Sequence, residues 1–154
     1  MIKSRVVQND IRRIVSEVKR DARALSAKTL LITGGTGFLG KYFLYTIWYL
    51  NNYVLSKPCR VISLDNYITG TEDNPLSNDK NITYLKHDVR NRFDTKVRVD
   101  YVIHAAGLAS PVFYMKYPLE TLEVATLGTK HMLEFAKEKR VESFLFFSSS
   151  IFFV

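Results

Sequence analysis

The chain has 154 residues, enough for one domain of ordinary size, and its 47% hydrophobic and 24% charged residues are typical of a folded globular protein. Most of the net charge of +7 comes from the first 28 residues, whereas a nucleic-acid-binding domain carries a basic face through its body, so no nucleic-acid partner is expected. The single cysteine, Cys59, excludes an internal disulfide and is expected to be a small buried residue.

Residues 8–25 are predicted to form a basic helix, because apolar residues recur there at steps of three and four positions. The apolar stripe consists of Ile11, Ile14, Val15, Val18, Ala22 and Leu25. Either Asn9 or Asp10 is expected to cap the first turn. This helix is assigned to an N-terminal extension of residues 1–27, which is expected to pack on the domain or on a second subunit, as in a homodimer. An anionic membrane surface is the alternative partner.

The first residues lack the apolar segment of a secretory signal. The most apolar helical stretch, residues 38–50, is too short to span a bilayer. A cytoplasmic protein without a membrane span is therefore expected. The histidines and Cys59 show no ligand spacing, so no metal site is expected.

Short apolar runs alternate with helical segments from residue 29 onwards. Strands are predicted at residues 29–33, 60–65, 82–88, 99–107 and 142–150. Helices are predicted at residues 38–51 and 119–139. The second helix is expected to turn inward Leu119, Leu122, Ala125, Thr126, Met132, Leu133 and Ala136. This alternation indicates parallel βαβ units, and the continuously apolar strands indicate a sheet that is covered on both faces.

A glycine-rich turn joins the first predicted strand of this series to the helix that follows it. Gly34, Gly37 and Gly40 stand in a G-x-x-G-x-x-G spacing. The first glycine permits a tight turn, the second lets the backbone approach a pyrophosphate, and the third lets helix and strand pack closely. The next strand ends at Asp65, whose carboxylate suits ribose hydroxyls and repels a 2′-phosphate. The pattern predicts NAD as the cofactor; a loop that caps the helix without a ligand is the alternative.

Several separated stretches resemble the extended short-chain dehydrogenase/reductases, and more narrowly the NAD-dependent epimerase/dehydratase group that acts on nucleotide sugars. The stretches are TGGTGFLG (33–40), LDNYITG (64–70), HDV (87–89), residues 104–136 and FLFFSSS (144–150). Their loops are most similar to those of UDP-glucuronate decarboxylases; UDP-sugar 4-epimerase and dTDP-glucose 4,6-dehydratase types stay open. The resemblance implies an α/β fold, a Rossmann-type doubly wound parallel sheet with strand order 3-2-1-4-5, over residues 28–154.

The resemblance also implies a set of cofactor contacts. Gly34, Gly37, Phe38, Leu39 and Gly40 would hold the pyrophosphate; Asp65 and Asn66 would take the adenosine ribose, with Thr69 and Gly70 on its phosphate side; Asp88 and Val89 would contact the adenine; and Ala105, Ala106 and Gly107 would line the cofactor beyond the fourth strand. His104 is expected to be a buried histidine with satisfied hydrogen bonds, not a base. The family often has Asn where this chain has Ala125.

In this family, as the resemblance implies, NAD⁺ oxidises the sugar at C4 and a Tyr-x-x-x-Lys pair supplies the base. Ser149 is the implied partner of the same sugar hydroxyl. The spacing Tyr-x-x-x-Lys occurs only at Tyr53 and Lys57, which follow the first helix of the sheet and lie outside the implied site. We therefore expect the front half of an enzyme on a nucleotide-sugar substrate, with the second half and the sugar-nucleotide domain absent and negligible turnover. A non-catalytic NAD-binding half-domain and an aggregation-prone product are the alternatives.

Overall fold

The computed structural model describes residues 4–69, 74 and 76–148 of the chain. These residues form one five-stranded sheet in which all neighbouring strands are parallel. The strand order is β3-β2-β1-β4-β5, with β1 (Thr29–Thr33) in the centre. The predicted α/β fold and its strand order are confirmed. The predicted site residues Gly70 and Ser149 lie outside the described residues.

The remaining elements follow the predicted alternation of strands and helices. The other strands are β2 (Arg60–Asp65), β3 (Ile82–Lys86), β4 (Tyr101–His104) and β5 (Ser143–Phe146). The α-helices are α1 (Arg5–Val18), α2 (Phe38–Tyr53), α3 (Pro111–Lys116), α4 (Pro118–Glu123) and α5 (Thr129–Lys139). A 3₁₀ helix spans Asp21–Leu25, and a π-helical turn spans Val124–Gly128. In the described part of the chain, no helix is long and apolar enough to cross a membrane.

The core forms on both faces of β1, whose five residues are all buried. Leu30 and Ile32 pack toward α1 and α2, whereas Leu31 packs toward Met132 and Phe135 of α5. A parallel sheet needs helices on both faces, because the side chains at its centre are apolar on each face and must be shielded from solvent. Cys59 is fully buried in the first of these clusters, as predicted.

The N-terminal helix begins earlier and ends earlier than predicted. Ser4 is the N-cap of α1 and accepts a hydrogen bond from the Val7 N–H, so the assignment of Asn9 or Asp10 as the cap is wrong. The Asp10 carboxylate accepts a hydrogen bond from the Tyr42 hydroxyl (2.8 Å), which fastens α1 to α2. The chain does not continue as one helix to Leu25, because the polar segment after Val18 turns into the 3₁₀ helix, where Ala22 is buried.

The segment predicted as one helix at 119–139 is divided by the π-helical turn. Its extra residue shifts the side-chain register, since a π turn closes i to i+5 instead of i to i+4. The inward residues are therefore Val124, Gly128, Met132, Phe135 and Ala136. The prediction is right for Met132 and Ala136 and wrong for Leu119, Leu122, Ala125, Thr126 and Leu133, which are exposed.

Three predicted strands are longer than the observed ones, at 82–88, 99–107 and 142–150. The sheet ladder stops at Lys86, His104 and Phe146, and beyond the first two of these positions the backbone turns into the loops of the carboxyl edge. After β4, the Ala106 N–H donates to the Thr33 side-chain hydroxyl (3.1 Å) instead of continuing the ladder.

An apolar groove of about 740 Å³ lies on the α2 side of the sheet, between α2, the 3₁₀ helix and the outer strands β4 and β5. Its walls include Leu25, Phe43, Ile103 and Leu145, and few of its lining side chains are polar. Leu145 is half exposed there, so this part of the sheet is only partly covered by the described residues.

His104 joins three elements inside the core. Its Nδ1 lies 2.7 Å from the Thr33 Oγ1 of β1, and its Nε2 lies 3.2 Å from the Thr129 Oγ1 of α5. Burial lowers the pKa of His104 to about 4. The expectation of a buried, hydrogen-bonded histidine is confirmed.

We predict that the free energy of unfolding falls as the pH drops from about 6.5 to about 4. The unfolded histidine takes up a proton in this window while the folded one does not, and the loss approaches roughly 3 kcal/mol. The measurement is urea unfolding at pH 7.0, 5.5 and 4.5. The His104→Gln variant should be less stable at pH 7.0 but should have a flatter pH dependence. An equal slope in the variant would assign the effect to other groups.

Candidate functional site

A cleft opens at the carboxyl ends of β1, β2 and β4, beside the first turn of α2. It lies where the strand order reverses between β1 and β4, which is where open α/β sheets bind ligands. The cleft has a volume of about 80 Å³, against about 740 Å³ for the apolar groove. The apolar groove is larger, but the cleft has the polar groups and backbone turn that a dinucleotide needs.

The structure brings nine of the predicted cofactor residues together around this cleft. They are Gly34, Gly37, Asp65, Asn66, Thr69, Val89, Ala105, Ala106 and Gly107. Four other predicted residues do not line the cleft: Phe38, Leu39, Gly40 and Asp88. The structure thus shows that the nine residues share one cleft. That they contact a cofactor stays a prediction.

The glycines of the turn are needed because backbone segments meet there. Gly34 has a φ of +73°, and a Cβ at this position would lie 2.7 Å from the Ala105 carbonyl oxygen. A Cβ on Gly40 would overlap the Gly34 carbonyl oxygen, so the third glycine brings α2 against the turn. The motif assigns no role to Gly35, yet a Cβ there would overlap the Ser63 hydroxyl of β2.

The N-terminus of α2 is open toward the cleft side of the turn. Gly37 is the N-cap and has no side chain to bond the first-turn N–H groups. Such N–H groups, at the positive end of a helix dipole, are a favourable place for a phosphate. The side chains of Phe38 and Leu39 instead line the apolar groove, and they are 77% and 49% exposed. Only their backbone remains available for the predicted pyrophosphate contact.

Asp65 ends β2 at the cleft and also shapes the surrounding loops. Its Oδ2 accepts a hydrogen bond from the Thr36 N–H (3.0 Å), and its Oδ1 accepts one from the Tyr67 N–H (2.9 Å). Each carboxylate oxygen therefore keeps a free lone pair for a further donor. Asn66 follows directly, and its Oδ1 accepts a hydrogen bond from the Ile68 N–H (3.1 Å).

The segment after β3 forms the wall of the cleft opposite the glycine turn. Val89 lines the cleft, and its backbone carbonyl lies 3.3 Å from the His131 Nδ1. Gly128 of the π-helical turn packs on Val89 so closely that a Cβ would lie 2.8 Å from the Val89 Cγ2. The Asp88 side chain does not line the cleft; its carboxylate accepts hydrogen bonds from Arg90, which does.

Sequence reasoning missed several lining residues, including Ile68, Arg90, Leu108, Glu120 and Val124. Arg90 follows Asp88 and Val89 directly, so the predicted adenine segment was too short by one residue. Glu120 and Val124 reach the cleft from α4 and the π-helical turn, and a prediction of one regular helix hides this approach.

The one Tyr-x-x-x-Lys spacing lies far from the cleft. α2 begins at the glycine turn and ends at Tyr53, about 24 Å away along the helix axis. The Tyr53 side chain is 65% exposed there and packs on Trp48 and Tyr49. Within residues 4–69, 74 and 76–148, no group of three His, Cys, Asp or Glu side chains is placed to hold a metal ion.

Comparison with known proteins decides the family. Residues 30–153 match the model of the NAD dependent epimerase/dehydratase family. The chain belongs to this family. The predicted resemblance is thus confirmed, and NAD is confirmed as the cofactor at the level of the family.

Curated members of the epimerase/dehydratase family that resemble the chain include UDP-glucuronic acid decarboxylases. UDP-glucuronic acid decarboxylase 6 of Arabidopsis thaliana is 31% identical over 125 residues, which cover 80% of this chain and 34% of that protein. UDP-glucuronic acid decarboxylase 1 of Danio rerio is 32% identical over 127 residues, covering 81% of this chain and 28% of that protein. The chain thus spans about a third or less of the length of these relatives.

Solved structures of epimerases share the fold. Epimerase Mth375 from Methanothermobacter thermautotrophicus has a TM-score of 0.69 at 27% identity and covers 88% of this chain and 39% of that one. UDP-glucose 4-epimerase from Bifidobacterium longum, solved in complex with NAD⁺ and UDP, has a TM-score of 0.62 at 28% identity. That match covers 80% of this chain and 37% of the epimerase.

We predict that Gly40→Ala destabilises the domain by about 1–3 kcal/mol, because the added methyl group forces α2 away from the Gly34 carbonyl. Gly107→Ala is the matched control, since a Cβ there meets nothing within 4 Å. The measurement is the midpoint of thermal unfolding without ligand. Equal midpoints for the two variants would contradict the close approach of helix and turn.

Proposed function

We propose that this chain binds NAD in the cleft and is the cofactor-binding part of a nucleotide-sugar enzyme of the UDP-glucuronate decarboxylase type. The observation that carries the proposal is the glycine-rich turn from Gly34 to Gly37, which meets the uncapped N-terminus of α2. The free N–H groups at this helix end suit a pyrophosphate, and glycine at position 34 lets the turn lie against the Ala105 backbone, where a Cβ has no room.

The residues present fit NAD at several positions. The α2 N–H groups would hold the pyrophosphate, and Asp65 would accept hydrogen bonds from the adenosine ribose hydroxyls through its free lone pairs. Val89 would face the adenine, and the backbone from Ala105 to Gly107 would line the cofactor beyond β4. When bound, NAD supplies a hydride acceptor for the sugar carbon and later a hydride donor.

The sugar nucleotide is proposed from the relatives. The two decarboxylases, at 31% and 32% identity, favour UDP-glucuronate. The likeness to UDP-glucose 4-epimerase favours a 4-epimerase as the second candidate, because it covers a similar share of this chain. Both reactions begin with oxidation at C4 in this family, so the proposed role of the cleft is the same in each.

We predict that the chain binds NAD more tightly than NADP, because the Asp65 carboxylate repels a 2′-phosphate. Asp65→Asn should weaken NAD binding by about tenfold and narrow the difference between the two cofactors. Isothermal titration gives both affinities. Asp94→Asn, at an exposed carboxylate that pairs with Lys139, is the matched control. A wild-type chain that does not bind NAD would overturn the proposed function.

We predict that the 154 residues with saturating NAD release no UDP-xylose from UDP-glucuronate, because Tyr53 ends α2 far from the cleft and Lys57 lies beyond the helix. The measurement is chromatography of the nucleotide sugars after prolonged incubation. Reading the source gene beyond the codon for Val154 in all three frames then shows whether a Tyr-x-x-x-Lys segment follows. If the chain itself formed UDP-xylose, the base that accepts the proton of the sugar hydroxyl would have to lie within these 154 residues.

A further inference from the structure

Arg90 holds two carboxylates from different elements at the edge of the cleft. Its Nε and Nη2 donate to the Asp88 carboxylate at 3.0 and 2.8 Å. Its Nη1 donates to the Glu123 Oε2 of α4 at 2.8 Å. The Arg90 side chain is 32% exposed, so this three-residue network is partly shielded from solvent.

The Asp88 carboxylate is committed to this network on both oxygens. Oδ1 accepts from the Arg90 backbone N–H (3.0 Å) and from its Nε (3.1 Å). Oδ2 accepts from the Arg90 guanidinium and from the Asn66 Nδ2 (3.4 Å). The hydrogen bonds from Arg90 hold the pKa of Asp88 below its ordinary value. A further hydrogen bond from a ligand would compete with these charge-assisted bonds.

The same network connects the two sides of the cleft through Val89. Asn66 follows β2, Asp88 follows β3, and Glu123 ends α4 immediately before the π-helical turn. Between them, Val89 is held by Gly128 on one side and by the hydrogen bond between its carbonyl and His131. Arg90 follows Val89 directly, so its pair with Glu123 is a third tie between this wall and the segment from α4 to α5, beside the contacts of Gly128 and His131.

We propose that Arg90 and Glu123 are positioning residues for the adenine wall of the cleft, and that Asp88 in this chain acts through Arg90 and not by accepting a hydrogen bond from the adenine amino group. This inference rests on the proposed NAD binding. According to this inference, Glu123, which lies on α4 and outside the glycine motif, contributes to the affinity for the cofactor.

The test compares NAD with nicotinamide hypoxanthine dinucleotide, in which a carbonyl replaces the adenine amino group. Glu123→Gln should weaken the binding of both dinucleotides by about three- to tenfold, because Arg90 loses its charged anchor on α4. Asp88→Asn should weaken both by a common factor and leave their affinity ratio unchanged. The double variant should bind the dinucleotides only slightly less tightly than the single variant with the lower affinity, since both substitutions act through Arg90.

Glu134→Gln is the matched control. Glu134 forms an Arg–Glu pair of the same length, 2.8 Å, with Arg92, but it lies outside the lining of the cleft. This variant should keep wild-type affinity for both dinucleotides. Thermal unfolding without ligand is measured for every variant, because a purely structural role would lower the midpoint and leave the affinities alone.

The outcomes separate the two levels of the proposal. If the wild-type chain binds neither dinucleotide, the proposed function fails. If it binds NAD and Asp88→Asn removes a preference for NAD over the hypoxanthine analogue, Asp88 contacts the adenine and the inference is wrong. If Glu123→Gln leaves both affinities unchanged, Glu123 is not a positioning residue, whatever its effect on the unfolding midpoint.

Discussion

The absence of side chains around the Gly34 carbonyl is the constraint on which the rest of the structure depends. This oxygen accepts a hydrogen bond from the Gly37 N–H (3.1 Å), and the Gly40 backbone lies against it with no room for a Cβ. Gly34 in turn lies against the Ala105 backbone after β4. One turn therefore sets the distance between the central strand, α2 and the neighbouring strand. The cleft exists because these three backbones meet without filling the space above them.

Much of this arrangement could be predicted because it depends on local patterns. The run TLLIT followed by the glycine turn predicts both β1 and the start of α2, and each is observed within the predicted bounds. Asp65 could be placed at the cleft because it ends the adjacent strand. The elements that were wrong depend on contacts distant in sequence. The π-helical turn places Gly128 against Val89, which lies 39 positions earlier, and no local period in residues 119–139 reveals that contact.

Two acidic residues near the ends of neighbouring strands illustrate the limit of a motif. Asp65 uses one lone pair of each oxygen on a loop N–H and stays at the cleft. Asp88 lies two residues beyond the end of β3, where Arg90 donates to its carboxylate, and Asp88 is not among the residues that line the cleft. A sequence position predicts where a carboxylate enters the fold. The neighbours that compete for its oxygens also affect what it can bind, because charge-assisted hydrogen bonds are strong.

The order of the strands also has a consequence for how the chain is made. β1 pairs with β2 on one side, but its other partner, β4, comes much later, and 71 residues separate Thr33 from His104. At a synthesis rate of about 5–20 residues per second, one edge of the central strand therefore waits roughly 4–14 s on the ribosome for its partner. During that interval β1 offers an unpaired row of backbone groups in a highly apolar sequence. The basic α1 precedes β1 in the chain, so the helix that packs on one face of this strand is synthesised before the strand itself.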